Sequence, residues 1–394
     1  MALYGRVRAC GTSRETRIDG QAHRREAVPG AEDTCADGPA VSLSDPLVAR
    51  LIDRLTDAFR APSGLQGTVQ LRVTDAPLAD TWVHIDNETL VAGQGSADTA
   101  DAVVQMSCRG LADILDNPSL VDFRYLPWSI LATASGDVRL AILVGRLLKR
   151  PEPAVADRFP AVEAAARANP VSGVLRLHRP TADVVVETLR GGIPLVLTGL
   201  LDAWPISTPT ALIETFGHVK LAGQRRGTSF ADFVQGALET STVSSAGCTL
   251  PEAMWSAFPF PLFDASSYAP RQLWAGAARV DRPITKLHRD LQHAFLGHLF
   301  GRKRLRIFSP DQRDRLYPSE GYNSYQPCRA EPGYSDLQVF PRLADAVPLE
   351  IVLSPGELLV IPIGWFHQVF ADDPVFSVSA FLKFEAWQAL ATPA

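Results

Sequence analysis

Leu47, Val48, Leu51, Ile52, Leu55 and Phe59 recur every three to four positions, which predicts an amphipathic helix. Asp45-Pro46 ahead of them supplies an N-cap and a proline at the first helical position, and Pro62-Ser63-Gly64 ends the run. The period then drops to two. Val69, Leu71 and Val73 alternate with Thr68, Gln70, Arg72 and Thr74, the pattern of a half-buried strand. Thr81–Asp86, Thr89–Ala92 and Ala102–Ser107 read as further short strands between Gly, Asp and Asn turns. Helical spacing returns over Gly136–Arg150, where Leu140, Leu143, Val144, Leu147 and Leu148 form the apolar stripe and Arg146, Lys149 and Arg150 suit the negative helix end. The order helix, strands, helices predicts an α+β domain over residues 44–150.

Pro151, Pro153, Pro160 and Pro170 mark residues 151–173 as a linker with one short helix, Val162–Ala168. From residue 174 to 390 the chain reads as many short strands separated by Pro and Gly turns, with helices only near the start. That pattern predicts a mainly-β sandwich or barrel. Residues 1–43, with six Arg and six Asp or Glu before Leu43, read as a disordered tail.

Composition sets the class. The chain has 394 residues, 46% hydrophobic and 21% charged, with a net charge of −5, which is ordinary for a globular protein. A mildly acidic chain of this kind excludes a broad track for nucleic acid or anionic lipid. The cysteines Cys10, Cys35, Cys108, Cys248 and Cys328 are scattered and make no CxxC; this is neither a disulfide framework nor a zinc site, and it fits a cytoplasmic protein. The most apolar runs, Ile193–Leu201 and Leu140–Leu148, fall far short of the ~20 residues of a transmembrane helix. The N-terminus shows no signal-peptide pattern.

Candidate chemistry begins at His288-Arg289-Asp290. On a strand, His288 and Asp290 point to one side. A His-x-Asp alone is a weak signal, and His293 and His298 nearby receive no role. The tripeptide also opens the protein-kinase catalytic loop, but the Asn required five positions after the Asp is Phe295 here, and there is no Asp-Phe-Gly and no glycine-rich loop. Downstream, an apolar strand runs into Pro362, turns at Gly364 and delivers His367. A core histidine is the plain alternative for His367. With His288 and Asp290 it completes two histidines and one carboxylate, the donor set of non-haem Fe(II) oxygenases.

Lys303 adds to this. Arg302, Arg304 and Arg306 fall on one side of an alternating strand, and Lys303, Leu305 and Ile307 on the other, apolar side. A lysine is almost never fully buried unless paired, so an inward Lys303 calls for a buried anion such as the distal carboxylate of 2-oxoglutarate. The alternative is a lysine at a barrel rim, its ammonium in water.

Two resemblances bear on these segments. Ser44–Arg150, with Thr81-Trp82-Val83-His84-Ile85-Asp86, Val103-Val104-Gln105-Met106-Ser107 and Ala134-Ser135-Gly136-Asp137-Val138, resembles the sterol carrier protein type 2 family, whose apolar tunnel can hold a lipid or acyl chain. Most of 174–388 resembles the JmjC-like cupin oxygenases, the asparaginyl hydroxylase that inhibits hypoxia-inducible factor among them. The matching pieces are Trp274-Ala-Gly276, Thr285, His288 with Asp290, Lys303, Phe308–Gln312, Leu316-Tyr-Pro318, Pro355-Gly356 and Ile361–His367, with Pro194–Gly199 and Trp204-Pro205 upstream.

The second resemblance implies a double-stranded β-helix, Fe(II) on His288, Asp290 and His367, and 2-oxoglutarate held by Lys303 and Thr285. It also implies O2 as co-reactant and succinate and CO2 as co-products. The expected reaction is hydroxylation of an unactivated C–H bond in an amino-acid side chain, free, peptidyl or within a protein, or in a biosynthetic small molecule. Ala294 and Ser379 stand where some relatives carry asparagines, and the chain after Phe384 is short of the family's long C-terminal dimerisation element. Two other classes stay open: a non-catalytic metal-binding cupin, and a lipid- or acyl-binding protein whose barrel is a scaffold.

Overall fold

The computed structural model describes residues 7–9, 15–19, 46–75, 80–117, 132–151, 153–204, 208–221, 227–238, 243–278, 281–322 and 325–392. The chain divides into two compact units. One comprises Met1–Pro153 with Ser319–Arg329 and Gln338–Phe340; the other comprises Ala154–Pro318, Ala330–Leu337 and Pro341–Ala394.

In the first unit the strands are β1 (Val7–Ala9), β2 (Glu15–Asp19), β3 (Gln66–Val73), β4 (Thr81–Asp86), β5 (Thr89–Gln94), β6 (Ala102–Met106) and β7 (Ala132–Gly136). They form one sheet in the order β1-β2-β5-β4-β3-β6-β7, with β3 and β6 parallel. Helices α1 (Pro46–Ala58), α2 (Cys108–Asp116) and α3 (Val138–Leu147) accompany it. Val48, Leu51 and Leu55 of α1, Leu111 and Ile114 of α2, and Leu140 and Val144 of α3 share one buried cluster with Val69, Leu71, Val83, Ile85 and Val104 of the sheet. The apolar stripes read from the sequence are therefore the faces that meet.

Three readings shift here. Of the tail read as disordered, residues 7–9 and 15–19 are strands, β2 pairing with β5 from Glu15↔Gly93 to Asp19↔Thr89; a sheet edge offers unpaired N–H and C=O groups that such a segment can satisfy. The rest of 1–43 lies outside the described residues, as does the expected cap Asp45. The last helix starts at Val138 instead of Gly136, because Gly136 still belongs to β7 and Asp137 caps the helix by accepting from Leu140 N at 3.0 Å.

At the unit boundary lies α4 (Pro153–Ala156). The second unit has helices α5 (Arg158–Ala168), α6 (Ala182–Arg190), α7 (Pro209–Phe216), α8 (Phe230–Leu238), α9 (Arg313–Leu316) and α10 (Phe384–Ala391). Its strands are β8 (Leu175–His178), β9 (Leu195–Thr198), β10 (Val243–Thr249), β11 (Gln272–Ala278), β12 (Thr285–Asp290), β13 (Ala294–Phe300) and β14 (Lys303–Phe308). After β15 (Tyr325–Pro327), which falls in the first unit, come β16 (Leu349–Leu353), β17 (Leu358–Ile361), β18 (Phe366–Ala371) and β19 (Val375–Phe381).

One sheet runs β10-β11-β19-β13-β17-β9-β8, and within this unit a second runs β12-β18-β14-β16. From β11 to β14 and from β16 to β19 successive strands alternate between the two sheets, which is the winding of a double-stranded β-helix. Val196, Ala294, Leu359 and Ile361 of the large sheet cluster with Leu305, Ile307, Ile351, Leu353 and Val369 of the small one. That cluster is the barrel interior. The other face of the large sheet packs Phe295, Leu299, Phe376 and Val378 against Val185 and Leu189 of α6 and Phe230 and Val234 of α8.

The segment read as a linker carries α5, and α5 packs. Phe159 is buried, and its ring lies 3.6 Å beneath the Arg289 guanidinium of β12. A helix also follows the last strand: α10 sets Trp387 against the His293 ring at 4.3 Å between centroids.

Candidate metal centre and its surroundings

The inner face of the small sheet gathers the chemistry. His288 and Asp290 are two apart on β12 and project together. His367 on β18 stands directly across from His288 in the ladder. The imidazole centroids are 4.2 Å apart. Asp290 Oδ1 is 3.9 Å from His288 Nε2, and Oδ2 is 3.6 Å from His367 Nε2. Among the described residues these three form a group whose donor atoms all lie within 4.8 Å of one another, close enough to hold one metal ion.

Both rings are oriented in the same way. His288 Nδ1 is 2.8 Å from the Lys286 carbonyl, and His367 Nδ1 is 3.2 Å from the Trp365 carbonyl. A carbonyl only accepts, so each Nδ1 carries a hydrogen, and each Nε2 is turned toward Asp290. Burial, reinforced by the neighbouring His288, holds the His367 imidazolium well below the usual range. Burial also raises the Asp290 carboxyl, with His288 opposing. The pocket thus disfavours both an imidazolium and a bare carboxylate. A cation shared by two ring nitrogens and one carboxylate relieves both penalties, so the donor set fits a divalent metal.

The loop that delivers His367 is pinned to the strand that carries Asp290. Gly364 N donates to the Asp290 carbonyl at 3.3 Å, and Ile363 N to His293 Nδ1 at 3.2 Å. Gly364 has φ +81°, and a Cβ there would lie 2.9 Å from Val162 of α5, so only glycine fits without strain. Between His288 and Asp290, Arg289 points outward from β12 and is 1% exposed. It donates to Glu163 of α5 at 2.8 Å and lies between the rings of Phe159 and Phe366.

Lys303 is on the inner face, 3% exposed, opposite Ala371 on β18. Its ammonium donates to Ser377 Oγ at 2.5 Å and makes no ion pair among the described residues. Burial brings its pKa down to about 7. Ile307, four residues further along β14, faces His367, so Lys303 and the level of His288 and His367 are separated by about 13 Å of strand at ~3.3 Å per residue.

Thr285 stands between these levels, opposite Val369. Thr285 and His288 are three apart and would face opposite ways on a regular strand. A bulge between them, three residues against two on β18, lets both stand opposite inward residues.

Three features escaped the sequence reading. His298 is buried beneath Lys303, with Nδ1 3.1 Å from Ser377 Oγ. Its alternation with Ala294 and Leu296 on β13 was the available signal. The Arg289–Glu163 pair spans 126 residues and leaves no local trace. Glu331 accepts the Leu287 backbone N–H with both carboxylate oxygens at 3.0 Å, and burial pushes its carboxyl up to about 7.

Residues 251–382 match a family model described as a cupin-like domain. Among curated proteins, the chain is 37% identical over 106 residues to lysine-specific demethylase 8 of Xenopus tropicalis, covering 27% of this chain and 23% of that protein. It is 32% identical over 98 residues to 2-oxoglutarate and iron-dependent oxygenase JMJD4 of Gallus gallus, covering 24% and 23%. A third relative is tRNA wybutosine-synthesizing protein 5 of Danio rerio, 32% identical over 106 residues, covering 26% and 31%. The chain thus spans about a quarter to a third of the length of these relatives. The stretch that carries His288, Asp290, Lys303 and His367 is the one that matches the cupin-like family model.

Proposed function

We propose that this protein is an Fe(II)- and 2-oxoglutarate-dependent oxygenase that hydroxylates an unactivated C–H bond. The observation that carries the reading is a shared surface: the converging His288/Asp290/His367 set and, among the described residues, a buried Lys303 ammonium without a counter-ion, both on the inner face of one sheet. A metal-only site would leave Lys303 unexplained. A five-carbon oxo acid whose keto-acid end meets the metal and whose far carboxylate meets Lys303 uses both.

His288, Asp290 and His367 would hold the iron. Bound iron supplies the redox chemistry that activates O2 as the oxo acid loses CO2 to become succinate. The chain's own part is orientation and exclusion of water. The two Nδ1–H···O=C bonds fix the ligand rings. Leu305, Ile351, Leu353 and Val369 make the wall apolar, so charges inside interact in a low dielectric. Lys303 would neutralise the distal carboxylate, and the Thr285 hydroxyl, at the intermediate level, would donate to the oxo acid.

The substrate class we propose is an amino-acid side chain, free, peptidyl or within a protein, with a biosynthetic small molecule as the other class. The names of the relatives, lysine-specific demethylase and oxygenase, are consistent with C–H hydroxylation. The same insertion at an N-methyl group would release formaldehyde. The test is anaerobic reconstitution with Fe(II), then O2 with 2-oxoglutarate and a panel of amino acids, methylated peptides and acyl compounds. Succinate with a +16 Da product or formaldehyde supports the reading; bound metal with no succinate on any substrate leaves a non-catalytic cupin. For residues 44–150, an apolar ligand in the manner of a sterol carrier remains a proposal, tested by displacement of a fluorescent fatty acid.

A further inference from the structure

Resting on that reading, we infer that His298 is a positioning residue for the distal carboxylate of the oxo acid, acting through Ser377 on the Lys303 ammonium. The argument is a count of protons. His298 is fully buried, and its Nε2 lies 2.9 Å from the Gly301 carbonyl. That carbonyl is fixed, because Gly301 has φ +82° and a Cβ there would sit 2.2 Å from the Pro374 carbonyl oxygen. A carbonyl only accepts, so Nε2 carries the hydrogen. Burial and the nearby Lys303 push the imidazolium down to about 3, so the ring is neutral and Nδ1 has a lone pair.

The group facing Nδ1, at 3.1 Å, is the Ser377 hydroxyl, which must donate. Its single proton is thereby committed to His298. Its lone pairs are left for Lys303 Nζ at 2.5 Å. One of the three ammonium hydrogens is anchored, and two remain for a carboxylate. Without His298 the hydroxyl could rotate, donate elsewhere and release Nζ. The register supports the same line: His298 pairs with Ser377 across β13 and β19, so the anchor is built from the large sheet while Lys303 comes from the small one. The anchor therefore joins the sheets at the end of the cavity away from the metal ligands.

The experiment compares the full-length protein, loaded with Mn(II) without O2, for binding of 2-oxoglutarate and of 2-oxopentanoate, which has the same carbon chain and no distal carboxylate. Tryptophan fluorescence gives both dissociation constants. Expected is a strong wild-type preference for 2-oxoglutarate. His298→Leu should lose about tenfold of that preference, the scale of one hydrogen bond to a charged group, with 2-oxopentanoate affinity unchanged. His298→Gln, which can donate to Gly301 and accept from Ser377, should restore it to within about threefold. General damage to the barrel would lower both affinities together.

A His298→Leu protein with the wild-type ratio overturns the inference and leaves the oxygenase reading intact. A wild-type protein without preference overturns both. Should the Leu variant fail to fold, 15N spectra of the wild-type histidines decide: an Nε2–H tautomer whose Nδ1 resonance moves on adding 2-oxoglutarate but not 2-oxopentanoate supports the inference, and an Nδ1–H tautomer overturns it.

Discussion

Glu163→Ala is the perturbation that most directly asks what holds the strand of His288 and Asp290 in place. Glu163 sits on α5, and its carboxylate receives Arg289 at 2.8 Å. Arg289 lies between His288 and Asp290 on β12 and is 1% exposed. Truncating one partner of a buried ion pair costs about 3–5 kcal/mol, and Glu163 also meets Arg313 at 3.6 Å. Two facts set the expectation at the lower end. The Glu163 side chain keeps 13% exposure, and the Arg289 guanidinium retains the Phe159 and Phe366 rings.

A loss of about 3 kcal/mol in a unit of this size corresponds to a fall of roughly 6–12 °C in melting temperature. Glu163→Gln keeps a hydrogen-bond acceptor and should lose about a third as much. The strand carries two of the three candidate ligands, so on the proposed reading Glu163→Ala should also weaken metal binding while Glu163→Gln changes it little. Calorimetric melting of the full-length protein, followed by metal titration well below the new midpoint, measures both. Melting within 1 °C of wild type for Glu163→Ala would refute the idea that α5 clamps β12.

The same packing predicts that a fragment beginning at residue 154 folds and binds metal, whereas one beginning at 171 loses α5, exposes Arg289 and aggregates; size-exclusion chromatography separates the outcomes. Asp290→Ala should abolish retention of iron after dialysis with little change in far-UV circular dichroism, since it removes the anionic ligand and leaves the sheet intact. Lys303→Ala should raise the 2-oxoglutarate requirement by about two to three powers of ten with metal binding unchanged. Arg302→Ala is the control: its side chain is exposed, faces away from the interior and meets Asp372 only at 3.5 Å, so it should leave that requirement unchanged. Lys303 has a depressed pKa of about 7 without an anion, and only its charged form binds a carboxylate. Affinity for 2-oxoglutarate should therefore be level below pH 7 and fall up to tenfold per pH unit above it, and Lys303→Ala should remove that dependence. Isothermal titration across pH 6–9 reads both.

The candidate site was largely legible because its signals are local. His288 and Asp290 share a strand face by spacing, and the alternation Lys303, Leu305, Ile307 placed an ammonium among core residues before any contact was known. His367 needed only the apolar strand and the Pro-Gly turn ahead of it. What escaped depends on contacts far apart in sequence or on irregular backbone. Thr285 reaches the inner face through a bulge, and strict alternation would have put it outside. Ser377 and His298 meet across 79 residues. The Pro-rich stretch before residue 171 has the composition of a linker, and only Phe159 and Glu163 finding Arg289 make its helix part of the barrel wall.

These details share a physical logic. A double-stranded β-helix closes two sheets over a narrow interior, and apolar side chains fill it except where charge is needed. This interior keeps an acid whose ionisation burial opposes, at Asp290, and a base whose ionisation burial opposes, at Lys303. They lie too far apart to satisfy each other, with about 13 Å of strand between Lys303 and the level of His288 and His367, and Asp290 two residues beyond it. Nothing in the apolar wall between them can bridge that gap. A metal ion answers the first charge and a carboxylate the second, and one molecule carrying a chelating end and a distal carboxylate connects the two answers. The strain of two uncompensated buried charges is thus relieved in proportion to how well a ligand spans them. On that reasoning metal and 2-oxoglutarate together should raise the melting temperature by more than the sum of their separate effects, and 2-oxopentanoate with metal should not. Equal, additive shifts for the two oxo acids would mean that Lys303 plays no part in holding the cosubstrate.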